Sequence, residues 1–441
     1  MEKIKVGVIT LALPRERVDL ASNFHFKAIS SLQANNFDVY YPEDLTFKTS
    51  DCISKAREFK EKGACAIILP LGTWVDSPTV IDTIREVPIP FVIWAEDNPA
   101  SFSLTAGGIV HGSLDELGLK HKFFYGSTDS ETLLGQITNY LKACSVMYNL
   151  NNQRLCLVGG RVPGMYTTMA DFIQIKKVFG IEIEHIDSLQ VYLEAINTST
   201  EEVKEFRAMY FPQFGKIELE EQIMDKSIRL YLALKRILTN KNYKIAAVKC
   251  MDEMINHYSS FCLANSLLND EGFTISCEGD IYGAISMQIL RLASGDTALF
   301  GDINHLDYQE KVLRIVNCGS MPSLMSGNRK EVDLACQYDY LSAAGGATTA
   351  FSVKDSPVTA ARLFRVKGNL GMVVFSGNTV KQPKERLKES RERWPQAFVK
   401  FDCNAEELVQ NFRSNHMHLC FGNYLNIIKE FCSLKEINCF S

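Results

Sequence analysis

Short apolar runs alternate with helical stretches over the first third of the chain: 5–13, then an amphipathic segment, then 64–71 and 90–95. That rhythm predicts parallel strands joined by helices. A strong helical pattern over 129–148 runs into the polar stretch NLNNQ, and a fresh apolar run at 154–160 restarts the alternation. A domain boundary is expected near residue 151. The second unit carries a long helical pattern over about 218–238, apolar runs at 244–250, 273–276 and 297–300, and a helix over 282–293 between the last two. Beyond about residue 315, ATTAFSV, AARLFRVKG, LGMVVFSG and QAFVKF are β-rich runs separated by Gly, Pro and Asn. No helix among them is long enough to cross between parallel strands. The fold class is therefore expected to be α/β: two tandem doubly wound, Rossmann-like parallel-sheet domains over 1–150 and 151–315, then a β-rich, antiparallel or barrel-like domain over 316–441. Two amphipathic helices, around 406–412 and 424–434, bracket the segment SNHMHLCFGN.

Composition narrows the partners. With 441 residues, 46% apolar and 22% charged, the chain is an ordinary folded protein. A net charge of -5 without a block of one sign offers no footprint for nucleic acid or an anionic membrane, so small solutes are the expected partners. The apolar N-terminal run is interrupted by Pro14, Arg15, Glu16 and Arg17 with no cleavage site after it, and no run approaches a membrane span. A cytoplasmic location follows as an expectation. The 13 cysteines are scattered without a C-x-x-C pair and many sit inside apolar runs, which predicts buried thiols in a reducing compartment.

The chemistry concentrates in FTISCEGDIYGAISMQILRLASGDTALFGDINH. One apolar strand empties into Glu278 and Asp280, a helix follows, and a second apolar strand empties into Asp302, Asn304 and His305. The carboxyl edge of an open α/β sheet is where ligands bind. If the two strands are parallel neighbours, Glu278 and Asp302 converge there. Two carboxylates and one imidazole would make an open site for a hard or borderline ion such as Mn²⁺. The plain alternative for each carboxylate is capping of the helix or loop that follows. His416 and His418, alternating on a predicted strand and facing one way, are the candidate third ligands among only 8 histidines. His305, read as part of a polar loop, competes with them.

Glu278, then Asp302 at the end of TALFGD, then Asn317-Cys318-Gly319-Ser320, and finally Ser414-Asn415-His416 with Gly422 beyond resemble the L-fucose isomerase family and its L-arabinose isomerase relatives. The resemblance spans roughly 245–441; over the first 150 residues it is architectural only. It implies that Glu278, Asp302 and His416 bind Mn²⁺ or another divalent metal and that Glu278 and Asp302 also act as the acid/base pair. His418 is left as the alternative ligand. It further implies that Asn415 touches substrate hydroxyls, as do Ser320 and Cys318, the latter standing where a serine is expected. Trp74, after the strand AIILPL, would line the sugar pocket. Trp394 and Arg15 are further candidate substrate contacts. A closed homo-oligomer, a trimer or hexamer, belongs to the same resemblance.

The residue types suit aldose–ketose interconversion without it. That reaction moves one proton between carbons and another between their oxygens, so it needs a metal to polarise the carbonyl and stabilise the enediolate, and two carboxylates to shuttle protons. Gly159, Gly160 and Gly164 follow a strand, but their spacing fits a tight turn better than a phosphate loop. The expected substrate is a free monosaccharide. Two rivals stand beside the isomerase: a non-catalytic sugar-binding module on the same plan, and a metal-dependent hydrolase or aldolase.

Overall fold

A computed structural model describes residues 3–337 and 344–441. It divides into two compact units, Met1–Tyr148 and Asn149–Ser441. In the first, strands β1 (Ile4–Val8), β2 (Phe37–Tyr40), β3 (Ile67–Leu71), β4 (Phe91–Ala95) and β5 (Lys122–Tyr125) form one parallel sheet in the order β2-β1-β3-β4-β5. Helices α1 (Val18–Ala34), α2 (Thr49–Glu61), α3 (Ser77–Glu86) and α4 (Ser103–Glu116) make the crossovers, and α5 (Glu131–Leu150) ends the unit. β3 and β4 are buried at every position. Their unbroken apolar runs mark strands covered on both faces.

The second unit begins with another parallel sheet. Strands β6 (Arg154–Val158) and β7 (Glu182–Ile186) are joined by α6 (Phe172–Phe179). Helices α7 (Ser188–Ile196) and α8 (Thr200–Tyr210), the short strand β8 (Ile217–Glu218) and α9 (Glu221–Asn240) lead to β9 (Ile245–Val248). Helices α10 (Glu253–His257) and α11 (Cys262–Asp270) lead to β10 (Thr274–Cys277), and the sheet order is β10-β9-β6-β7. After β10 comes α12 (Ile281–Ser294), whose residues 281–290 are all buried. A helix buried on every face over those residues belongs inside. It packs on β9 and β10 and on three strands of the following sheet.

That following sheet is closed, and antiparallel in all but one appended strand. It contains β11 (Ala298–Asp307), β12 (Val312–Val316), β15 (Ser356–Val366), β16 (Asn369–Thr379), β17 (Gln396–Phe401), β18 (His416–Phe421) and the appended β19 (Asn438–Phe440). The order β15-β18-β11-β12-β17-β16 returns to its start through the long β15–β16 hairpin, so none of these six strands is left as a bare edge. Strand β13 (Asp333–Cys336) pairs with β14 (Ala347–Ala350) on one side and β8 on the other in a small sheet apart, and short helices α13 (Lys384–Leu387), α14 (Ala405–Asn411) and α15 (Leu425–Leu434) complete the unit.

Two expectations are corrected here. The apolar run ending at Asp302 is not a fifth strand of the parallel sheet: β11 pairs antiparallel with β12 and β18. Nor is His305 in a loop, since β11 continues through it after a bulge at Asn304. An apolar run of that length records burial, not its partner strand. All 13 cysteines are free, and Cys439 alone among them is exposed. No helix among the described residues is long and apolar enough to cross a membrane.

Candidate metal centre

β10 delivers Glu278 at its carboxyl end through an unusual backbone. Glu278 itself has φ 60° and Gly279 φ 62°, two consecutive residues in the left-handed region. For a side-chain-bearing residue that conformation costs about 1–3 kcal/mol and persists where surrounding contacts enforce it. Gly279 is enforced sterically: a Cβ there would stand 2.3 Å from the carbonyl oxygen of Gly160 in the loop after β6. Asp280 then caps α12, its Oδ1 accepting from Gly283 N–H at 2.9 Å. The capping alternative raised for these carboxylates is thus correct for Asp280.

The barrel brings the other two groups. In the β11–β18 register Asp302 lies directly opposite His416, and Phe300 opposite His418. Because side chains alternate along a strand, Asp302 and Phe300 share a face with both histidines. The Phe300 ring packs on them, with centroids 4.3 Å from His416 and 5.1 Å from His418. His416 Nε2 is 2.9 Å from Glu278 Oε2 and 3.6 Å from Asp302 Oδ1. One donor atom from each of Glu278, Asp302 and His416 lies within 4.8 Å of the others.

The other imidazole nitrogen is committed. His416 Nδ1 is 2.7 Å from Asp280 Oδ2, an oxygen that also takes a hydrogen bond from the guanidinium of Arg362. A carboxylate behind a ligating histidine fixes the ring and leaves Nε2 to face the ion. Arg362, 1% exposed at its side chain, also donates from Nη1 to His418 Nε2 at 3.2 Å. His418 therefore lies one step behind the donors. Asn415 Nδ2 donates to Asp302 Oδ1 at 2.9 Å, orienting that carboxylate from the rim.

Burial and charge set the protonation. Burial raises Glu278 to about 7, against the pull of His416, and raises Asp302 as well. Burial also acts to raise Asp280, but Arg362 and His416 hold it far below the usual carboxylate range. For His416 burial opposes the charge, yet hydrogen bonds to Asp280 and Glu278 outweigh it and lift the imidazolium to about 10. His418 goes the other way: burial first, then Arg362, depress it well below its ordinary value, leaving it neutral.

A borderline nitrogen and two hard oxygens, pre-positioned and backed by a carboxylate and an amide, fit a divalent ion such as Mn²⁺ or Mg²⁺. Sulfur stands close by. Cys277, Glu278 and Cys318 form a second donor group within 4.8 Å, and Cys277 hydrogen-bonds to Cys250 and Cys318.

The remaining sequence candidates are placed as follows. Ser320 is buried and its Oγ donates to Asn317 Oδ1 at 2.8 Å, while Cys318 lies buried 3.8 Å from the Cys262 sulfur. Trp394 is half-buried under the Arg391 guanidinium, 5.3 Å from its ring centroid. Trp74, half-buried after β3, and the exposed Arg15 belong to the first unit. Arg362 was not foreseen. Its signal is visible in AARLFRV, where a charge stands at the centre of an apolar strand.

Residues 315–441 match the family model described as the L-fucose isomerase C-terminal domain. That match contains His416 and Asn415 and begins after both carboxylates. Proteins named sulfoquinovose isomerase are similar over more of the chain. One from Priestia megaterium is 22% identical over 372 residues, covering 80% of this chain and 82% of its own length. Another, from Alkalicoccus urumqiensis, is 21% identical over 72% of this chain and 73% of its own. A solved sugar-transporter solute-binding protein from Actinobacillus succinogenes 130z with bound D-allose is 13% identical over 67% of this chain and 93% of its own, at a TM-score of 0.18, too low to bear on the fold.

Proposed function

We propose that this chain is a divalent-metal-dependent aldose–ketose isomerase acting on a free monosaccharide. The observation that carries the reading is the convergence of Glu278 and Asp302 on one face of His416, with Asp280 locked behind the imidazole. Glu278, Asp302 and His416 would hold the ion, which when bound supplies Lewis acidity to the sugar's carbonyl and hydroxyl oxygens. Glu278, poised near 7, takes the proton from one of the two exchanging carbons and returns it to the other. Asp302, oriented by Asn415, serves the oxygens. Asp280 and Arg362 keep the ring of His416 from turning.

The proposal includes Asn415, Ser320, Cys318, Trp74, Trp394 and Arg15 as sugar contacts, and a closed homo-oligomer in the cytoplasm. The substrate test is a panel of free aldoses with added Mn²⁺, including L-fucose, L-arabinose and, because of the relatives' name, sulfoquinovose. Proton NMR in deuterated water should show label entering carbon 1 or 2 with ketose appearing, and Glu278→Gln should abolish both. Fragment release would favour an aldolase. Sugar binding without exchange, in a metal-free chain, would favour a binding module.

A further inference from the structure

A second cluster of metal-ligand residues lies wholly within the first unit. His111 and Asp115 stand one turn apart on α4, the spacing at which two side chains share a helix face. His121 precedes β5, the edge strand of the five-stranded sheet. One donor atom from each of the three lies within 4.8 Å of the others. His121 Nδ1 is 2.8 Å from the carbonyl oxygen of Leu119, and since a carbonyl only accepts, Nδ1 carries the proton and Nε2 presents a lone pair. That lone pair faces His111 Nδ1 at 2.7 Å. The His111 ring is fixed in turn by stacking on Phe123, with centroids 5.1 Å apart and planes 15° from parallel. His111 Nε2 is 3.6 Å from Asp115 Oδ2, beyond hydrogen-bond length. Side-chain exposures of 42% and 64% for His111 and Asp115 leave the cluster open to solvent.

We propose that His111, Asp115 and His121 form a metal site distinct from the Glu278 centre, selective for a borderline divalent ion such as Zn²⁺. Two imidazoles and one carboxylate are the donor set that zinc takes, whereas an all-oxygen or oxygen-rich set favours Mg²⁺ or Mn²⁺. The ring-to-carbonyl bond of His121 is the outer support that ligating histidines carry. An ion here ties the C-terminal end of α4 to the start of β5 and so stabilises an edge of the sheet.

The test uses the full chain, stripped with chelator and dialysed against Zn²⁺, with bound metal counted. His121→Ala should hold one zinc fewer per chain than its parent, both in the natural background and in Glu278→Gln. Asp115→Asn should weaken that zinc by at least about tenfold. A zinc-dependent rise in Tm should accompany the parent and be absent from His121→Ala. Melting without zinc checks that the variants fold, and Asp115→Asn carries the test should His121→Ala fail to. Equal zinc content with and without these side chains overturns the proposal, and a failure at the Glu278 centre leaves it standing.

Discussion

Replacing Asp280 by asparagine separates two roles the structure gives to one carboxylate. Its Oδ1 caps α12 through Gly283 N–H, and an amide oxygen can keep that bond. Its Oδ2 accepts from both His416 Nδ1 and Arg362, and an amide NH₂ in that place can accept from neither. Arg362, 1% exposed, then becomes a buried charge without its carboxylate. Removing one partner of such a pair costs about 3–5 kcal/mol of stability. Loss of the carboxylate behind His416 weakens the metal by about 10–100-fold, or about 1.4–2.8 kcal/mol. These two losses should come apart in Asp280→Asn with Arg362→Met. Removing the stranded charge should restore much of the stability, while the metal affinity stays low because His416 still lacks its acceptor. Denaturant unfolding of the metal-free chain measures the first and equilibrium dialysis with Mn²⁺ the second. A single variant that loses under about 1 kcal/mol, or a double variant that regains metal affinity together with stability, would refute the assigned roles.

Four further outcomes are expected. Gly279→Ala, at φ 62° and with a Cβ 2.3 Å from the Gly160 oxygen, should displace Glu278 and cut turnover more sharply than a surface Gly→Ala such as Gly108→Ala, a comparison read directly from kcat. Metal uptake should expel protons, because His416, lifted to about 10, must release Nε2. Affinity should rise by about tenfold per pH unit between 7 and 10, and more steeply below 7 where Glu278 is also protonated; calorimetry in buffers of differing ionisation enthalpy counts the protons, and a pH-independent affinity would contradict the assignment. The same folded-state pKa, raised from 6.5 to about 10, means that the contribution of His416 to metal-free stability is complete below its unfolded value and lost as pH rises through 10. His416→Gln should abolish metal binding, whereas His418→Gln should retain the ion and lose stability by disturbing Arg362.

Much of the site was legible because its signals are local. An apolar strand that ends in an acidic residue is written within a few positions, and so is the alternation that puts His416 and His418 on one face. The four β-rich runs after residue 315 became strands β14 to β17, and the helical patterns at 218–238 and 282–293 became α9 and α12. Asp280 as a helix cap follows from its place before Ile281. These features need only the chain's own period and the chemistry of a helix end.

What the tertiary structure alone decided is which strand meets which. The run ending at Asp302 is equally apolar whether it joins a parallel sheet or a closed antiparallel one, and only pairing with β18 in that register sets Asp302 opposite His416. The expected parallel neighbour was wrong, yet the two carboxylates still meet, because α12 lies between the sheets and its capped start carries Glu278 to the barrel. Arg362 is separated from Asp280 by 82 positions, and its charge is intelligible only once burial forces the two together. Strand partners and buried ion pairs are long-range choices, settled by the burial of whole elements and not by the pattern within any one of them.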